Sequence, residues 1–277
     1  MTKKVDLAVM LFLIPSFAGV LIFYIIPFVM SWGFATTDAN GNFAGLDNFV
    51  NLFGSEAFRL AAGNTLKFMA IAIPLNIAVP FFIACLLSGI TGVGWLKTMF
   101  MSPLVIPTAC AAFFIRSLFM SNGLLSRVLG VNTDWLLTDR AFFIAVGLYV
   151  WKNMGFNLVL ALAGLANIPK DYYEWASVEG MGKARMFFKI TLVYIIPALF
   201  IMFVMSFINS FKVYRELYML AGNYPNRNIY MLQHYMNNQF AKLNYQNLTT
   251  AAFAITTAVS VFMVIFFIAD KKSEYGE

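Results

Sequence analysis

The sequence predicts an all-α polytopic membrane protein with six transmembrane helices. Of its 277 residues, 61% are hydrophobic and only 12% are charged, which is far from the balance of a soluble domain. Six stretches are long and apolar enough to cross about 30 Å of hydrocarbon as helices. Such long, uniformly apolar runs do not suit barrel strands, and backbone amides in lipid need partners within their own segment, so we expect helices.

The predicted spans follow one another along the whole chain, approximately at residues 7–32, 64–87, 98–120, 141–165, 188–211 and 248–269. A cleavable secretory signal is the alternative interpretation of the first, because it follows Lys3 and Lys4. A signal core covers only about 7 to 15 apolar residues, whereas this run continues through Pro27, so we expect a retained helix. No internal repeat or linker divides the sequence, and residues 1–277 are predicted to form one transmembrane domain.

Prolines fall within the first three predicted spans. Each one removes a backbone donor and crowds the carbonyl four residues earlier, so local kinks or breaks are expected. Membrane helices are rich in proline in general, and no single position carries a functional inference. The residues are Pro15, Pro27, Pro74, Pro80, Pro103 and Pro107.

The segments between the spans include two short amphipathic stretches and one long loop. Residues 46–53 and 123–130 have the pattern of helices that lie in the membrane interface. Residues 212–247 form the largest predicted external loop and are a candidate docking surface for an outside partner. His234 falls in this loop and is expected to be solvated, and a lone histidine cannot form a metal cluster.

The placement of lysine and arginine predicts the orientation. With the N-terminus inside, both sides receive equal numbers of cations, but the inside segments are shorter, and charges in short loops near span ends weigh more. Both termini are therefore predicted to be cytoplasmic, and the formal net charge of +6 reflects membrane-flanking cations, with no nucleic-acid partner. The inside cations are Lys3, Lys4, Lys97, Lys170, Lys183, Arg185, Lys189, Lys271 and Lys272.

A polar loop at residues 166–189, between the fourth and fifth spans, predicts a short helix, a turn and a second helix. Pro169 is compatible with a first helical turn, and Asp171 places negative charge near the positive helix end. Gly180 and Gly182 are expected to stop or bend the helix. The loop is thus predicted to have its own defined structure.

One face of this predicted helix carries four residues at i, i+3, i+4 and i+7 spacing: Tyr172, Trp175, Ala176 and Glu179. An aromatic and small-residue face on an exposed loop is typical of a docking surface. From the residues alone, a helix that rests on lipid headgroups is the favoured alternative.

This loop resembles the coupling loop of binding-protein-dependent ABC importer permeases, which has the form E-A-A, three residues, G and, about nine residues later, I-x-L-P. Glu174, Ala176, Gly180, Ile190 and Leu192 occupy matching positions. Trp175 and Val193 depart from the pattern, which concerns the shape of the docking groove. Strings similar to sugar permeases of the maltose and glycerol-phosphate type follow in order along nearly the whole chain, among them Leu46-Asp-Asn-Phe, Ser102-Pro-Leu-Val-Ile-Pro107 and Ala163-Gly-Leu-Ala-Asn-Ile-Pro169.

The resemblance implies a type I ABC importer permease for a sugar or related polyol, in a bacterial or archaeal cytoplasmic membrane. The chain would be a translocation subunit and not an enzyme, because no G-x-x-x-x-G-K-[S/T] phosphate-binding string is present. ATP and Mg would be bound by two cytoplasmic ABC ATPase subunits, and a second homologous permease subunit and an extracytoplasmic solute-binding protein are implied. The ATPase-coupling residues would be Glu174, Trp175, Ala176, Glu179 and Gly180.

Polar groups within the fourth and fifth spans are candidates for the substrate pathway, because such groups are costly in lipid and tend to face a cavity or a partner helix. Amides and hydroxyls suit a polyhydroxylated solute, and aromatic faces suit a sugar ring. Contacts between helices are the alternative role for each. The family's pathway helices point to Tyr149, Asn153, Phe156, Asn209 and Ser210.

Two matters stay open in the sequence. Lys152 serves an anionic substrate or pairs with a neighbouring carbonyl, and we expect the structural role. An ion-coupled secondary carrier that acts without an ATPase is the alternative function, although such carriers usually need titratable groups at mid-membrane and often show inverted repeats. A membrane subunit without a transport role is a third interpretation.

Overall fold

The computed structural model describes residues 7–38, 40–90, 92 and 94–274, and the surroundings of side chains from residue 12 to residue 268 within those ranges. These residues form helices, and their one β pairing is an isolated antiparallel bridge between Thr37 and Phe43. The all-α prediction is confirmed. Lys3 and Lys4, which contribute to the predicted orientation, lie outside the described residues.

Six segments within the described part of the chain are long and apolar enough to cross a membrane, as predicted. They are Phe12–Thr36, Glu56–Leu87, Thr108–Leu129, Ala141–Ala166, Ile196–Ala221 and Tyr245–Ile268.

The helices of the first half of the chain include both of the predicted short helices between spans. The N-terminal helical run consists of α1 (Leu7–Val20), a π-helical turn (Leu21–Ile25) and α2 (Ile26–Thr36), and the later helices are α3 (Asp47–Gly54), α4 (Glu56–Leu87), α5 (Gly94–Val105), α6 (Thr108–Phe119), α7 (Leu124–Leu129) and α8 (Ala141–Ala166). A 3-10 turn at Trp135–Leu137 precedes α8. The helices predicted at residues 46–53 and 123–130 correspond to α3 and α7.

The second half of the chain begins with the helices of the polar loop, α9 (Lys170–Val178) and α10 (Lys183–Met186), and a π-helical turn at Phe187–Thr191 follows them. The remaining helices are α11 (Leu192–Tyr194), α12 (Ile196–Lys212), α13 (Tyr214–Ala221), α14 (Leu232–Ala241) and α15 (Tyr245–Glu274), with a 3-10 turn at Arg227–Ile229 before α14.

Two predicted spans have wrong boundaries. The span predicted at 98–120 is interrupted, since α5 ends at Val105 and α6 begins at Thr108. Pro107 has no amide hydrogen and restricts the residue before it, which explains the break. The span predicted at 188–211 instead covers Ile196–Ala221. In contrast, α4 continues through both Pro74 and Pro80.

The described residues divide into two compact units, one with the residues up to Arg59 and those from Tyr235 onward, the other covering Leu60–His234. In the first unit, α2 packs on α15 through aromatic rings, and Phe28 stacks on Phe253 with 4.5 Å between centroids. The Asn48 side chain of α3 donates hydrogen bonds to the carbonyls of Ala35 and Thr37, so it satisfies the end of α2. The prediction of one transmembrane domain stays a prediction.

In the second unit, α8 is the central helix and makes two close approaches at glycines. A Cβ added at Gly155 would clash with the Phe100 carbonyl oxygen of α5, and one at Gly164 would lie 2.6 Å from Cβ of Ala198 on α12. Small residues that let backbones approach are a typical way to pack membrane helices. Gly155 therefore allows the close packing of α5 against α8, two helices that border the candidate site.

Candidate functional site

The polar loop after α8 has the predicted helix, turn and helix. Pro169 precedes α9 in an extended conformation, with φ −58° and ψ 133°. Gly180 ends the helix with φ +74°, a conformation that glycine adopts without strain. Gly182 then leads into α10.

The predicted docking face of α9 is only partly exposed. Trp175 is 77% exposed and Tyr172 43%, whereas Ala176 is only 6% exposed. The placement of Ala176 on the exposed face is therefore wrong. Spacing alone cannot tell which edge of a helical stripe turns inward. Val178, which is not part of the predicted face, is 88% exposed and lies three residues after Trp175.

Ala176 instead anchors α9 to the helical segments on either side of the loop. It packs with Ile168, which follows α8, and with Ile190 in the π-helical turn. The Tyr173 hydroxyl and the Thr191 hydroxyl are hydrogen-bonded at 2.9 Å. A displacement of α9 would therefore be passed to both flanking segments through packed contacts. Glu174, Glu179 and Gly180 are exposed.

A cavity of about 340 Å³ lies within the second unit, between the break before α6 and the facing sides of α8, α12 and α13. Three of the five predicted pathway residues line it: Tyr149, Asn153 and Asn209. Phe156 and Ser210 do not line this cavity. Ser210 is buried and donates to the Phe207 carbonyl at 2.6 Å, which is the structural alternative considered for it.

A directional chain of hydrogen bonds crosses the wall of the cavity. Lys212 Nζ donates to Asn209 Oδ1 at 3.2 Å, and Asn209 Nδ2 donates to Asn153 Oδ1 at 3.1 Å. Asn153 Nδ2 then donates to the Tyr149 carbonyl at 2.8 Å. Each amide oxygen is thus already an acceptor, while each amide nitrogen retains a second hydrogen that it can donate.

An ion pair forms another part of the same wall. Lys152 Nζ lies 2.8 Å from Glu216 Oε1, and the two side chains are 15% and 13% exposed. Lys152 also donates to the Thr108 hydroxyl at 2.8 Å, next to the break at Pro107. The expected partner of Lys152, a neighbouring carbonyl, is wrong, since the lysine pairs with a carboxylate. No spacing pattern predicts this contact, because the partners are on different helices and far apart in the chain.

A buried polar cluster next to Tyr149 joins α4, α8 and α12. Asn157 Nδ2 donates to the Asn76 carbonyl at 2.7 Å and to the Ser206 hydroxyl at 3.1 Å. The Asn76 carbonyl is the group that would accept from residue 80 in an unbroken helix, and Pro80 has no amide hydrogen. Asn157 therefore replaces the bond that the proline removes. The Tyr149 hydroxyl donates to the Ser206 carbonyl at 2.6 Å.

The prediction of a solvated His234 is wrong. The residue is fully buried, and its ring lies against Tyr214 with 4.7 Å between centroids. Its Nδ1 accepts from the Met231 amide at 3.2 Å, so the neutral ring carries its hydrogen on Nε2. Burial lowers the pKa of His234 from 6.5 to about 4. The described residues contain no group of three His, Cys, Asp or Glu side chains that could hold a metal ion.

Comparison with known proteins relates the chain to transport permeases. No protein-family model matches it. It is 31% identical to the probable ABC transporter permease protein YesP of Bacillus subtilis over 79% of the chain and 75% of that protein. It is 32% identical to the sn-glycerol-3-phosphate transport system permease protein UgpA of Escherichia coli, over 70% of the chain and 66% of UgpA. The arabinooligosaccharides transport system permease protein AraP of Bacillus subtilis is 29% identical over 79% of the chain and 74% of AraP.

Solved structures show the same fold. A chain of a bacterial ABC transporter involved in the import of the acidic polysaccharide alginate superimposes with a TM-score of 0.82 at 22% identity. The match covers 98% of this chain and 97% of that chain. The 31% identity to YesP shows that the chain belongs to the family of ABC transporter permeases, and the shared fold and the six apolar helices agree with a multi-pass membrane subunit of such a transporter.

Proposed function

We propose that the chain is the translocation subunit of an ATP-driven, binding-protein-dependent importer for a sugar or related polyol, with both termini cytoplasmic. In this proposal two cytoplasmic ABC ATPase subunits bind ATP and Mg, and a second homologous permease subunit completes the pathway. An extracytoplasmic solute-binding protein delivers the solute. The relatives support this assignment, since UgpA and AraP are permeases of glycerol phosphate and arabinooligosaccharide transport systems.

The main support for the proposal is helix α9, which is anchored on one side and exposed on the other. The apolar side chains of Trp175 and Val178 lie on its exposed surface, where a partner would bury them. On the opposite side, Ala176 is held between Ile168 and Ile190. A partner that moves α9 would move the segments attached to α8 and α12 as rigid elements, which is a known type of switching transition.

The cavity supports the second half of the proposal, the passage of a hydroxyl-rich solute. Its wall offers amide donors from Asn153 and Asn209 together with the hydroxyl of Thr108. Polar side chains make up more than half of the residues that line the cavity, so its wall can form hydrogen bonds with the hydroxyls of such a solute. The alternative, an ion-coupled carrier, is not favoured by the relatives. The described carboxylate nearest the pathway, Glu216, is already paired with Lys152.

The proposal is tested with Glu174→Ala in the assembled transporter. Glu174 is exposed, so the variant should insert normally. We expect it to lose solute uptake and solute-stimulated ATP hydrolysis. The matched control is Asp47→Ala, which removes an exposed carboxylate from the first turn of α3. Unchanged uptake by Glu174→Ala, in a preparation where Asp47→Ala is also active, would refute the coupling role.

A further inference from the structure

The charges on the cavity wall define the class of sugar that the cavity takes. Three cations line it, Lys152, Lys212 and Arg215, against the single carboxylate of Glu216. The carboxylate is neutralised by Lys152 at 2.8 Å. The wall therefore carries two cations in excess, Lys212 and Arg215, both on exposed side chains at the end of α12 and the start of α13.

Two asparagine amides add hydrogen-bonding groups to this charged wall. The oxygen of Asn209 accepts from Lys212, and the oxygen of Asn153 accepts from Asn209. Each amide therefore keeps one N–H hydrogen for a ligand, besides the remaining lone pair of its oxygen. A positively charged wall that also offers N–H donors matches a ligand that is negatively charged and rich in acceptors, because charge-assisted hydrogen bonds are stronger than neutral ones.

We infer that the cavity takes an anionic sugar derivative, one that carries a carboxylate or a phosphate, and that Lys212 and Arg215 select it over the neutral sugar. This inference rests on the proposed function and names its substrate class. Glu216 pairs with Lys152, so that Lys212 and Arg215 are the two cations left to bind the solute. The volume of about 340 Å³ is within the usual range for small-molecule sites.

The test compares two matched pairs of probes on the permease complex in lipid nanodiscs, without the soluble binding protein, whose own selectivity would contribute. Galacturonate is compared with galactose, and glucose 6-phosphate with glucose. We expect at least one anion to bind about tenfold more tightly than its neutral partner, with the difference shrinking as salt rises. The anion that gains more identifies the preferred group as carboxylate or phosphate.

The variants locate the effect. The double substitution Lys212→Gln/Arg215→Gln should abolish the preference, while Arg127→Gln, at an exposed cation of α7 outside the cavity, should retain it. Three results would overturn the inference: equal binding of the neutral and anionic probes, binding of none of the four, or a preference that survives the double substitution. Equal binding of neutral sugars would leave the proposed function intact, since that depends on the Glu174 experiment.

Discussion

The contact between Asn157 and the carbonyl freed by Pro80 gives a prediction that can be tested by a double-mutant cycle. Asn157 is 2% exposed, and its amide nitrogen lies 2.7 Å from the Asn76 carbonyl oxygen. The substitution Asn157→Leu keeps the approximate size of the side chain and removes the donor. In the native background, the Asn76 carbonyl would then lose its interhelical partner while Pro80 still supplies no helical one.

The expected magnitude follows from two reference values. A buried group that loses its partner costs about 1–3 kcal/mol, but hydrogen bonds between membrane helices average about 0.6 kcal/mol with a maximum near 1.7. Asn157 also loses its contact with Ser206, so we expect a destabilisation of about 1–2 kcal/mol. In a Pro80→Ala background, the Ala amide can donate to Asn76 as in an ordinary helix. There, the cost of Asn157→Leu should fall by about half.

The assay is equilibrium unfolding of the four proteins of the cycle in mixed micelles titrated with sodium dodecyl sulfate. Asn153→Leu is the matched control, because Asn153 also donates to a backbone carbonyl. Its acceptor is the carbonyl of Tyr149, which does not involve Pro80. The cost of Asn153→Leu should be the same in both backgrounds. An equal cost of Asn157→Leu with and without Pro80 would show that Asn157 does not compensate for the proline.

Three further predictions concern packing, charge and pH. Gly155→Val should destabilise the protein by about 1–3 kcal/mol, since its Cβ would meet the Phe100 backbone, whereas Gly147→Val meets nothing within 4 Å of that atom; comparison of the two thermal midpoints checks this. Lys152→Met leaves the mostly buried Glu216 carboxylate uncompensated and should cost about 2–3 kcal/mol, and adding Glu216→Gln should recover part of it; additive losses in unfolding titrations would contradict the pairing. Burial depresses the pKa of His234 to about 4, so its stabilising effect is complete above pH 6.5 and is lost as the pH falls towards 4; stability should decrease by up to about 2 kcal/mol between pH 7 and pH 5, and His234→Gln should flatten this dependence.

The number of spans could be predicted from the sequence because bilayer thickness sets the length of an apolar run. The boundaries of the spans were harder to predict. Helical segments follow one another from Lys183 to Tyr194, directly before the fifth span, and the composition does not change at Ile196, where that span starts. The break before Thr108 was foreseeable from Pro107, but the continuity of α4 through Pro74 and Pro80 was not. For Pro80, part of that continuity depends on Asn157, a residue of another helix.

In the candidate site, too, local features could be predicted and tertiary contacts could not. The helix, turn and helix of the polar loop followed from local signals at Pro169, Asp171 and Gly180. The inward orientation of Ala176 did not, because it depends on contacts with Ile168 and Ile190, which lie in the flanking segments.

Contacts between distant residues in the cavity and in the last loop could not be predicted from the sequence either. The pairing of Lys152 with Glu216 depends on how α8 and α13 meet. The burial of His234 depends on Tyr214, which belongs to α13. In each case the missing information was a contact between distant parts of the chain.

Photo-crosslinking in the assembled transporter tests whether an ATP-hydrolysing partner holds α9. A benzophenone amino acid placed at Trp175, which is 77% exposed, should crosslink to an ATPase subunit of the assembled transporter. The same probe at Leu137, 71% exposed in the segment predicted to be external, should not. Crosslinks from position 175 to lipid alone, or to a protein on the outer side of the membrane, would show that no ATPase holds α9.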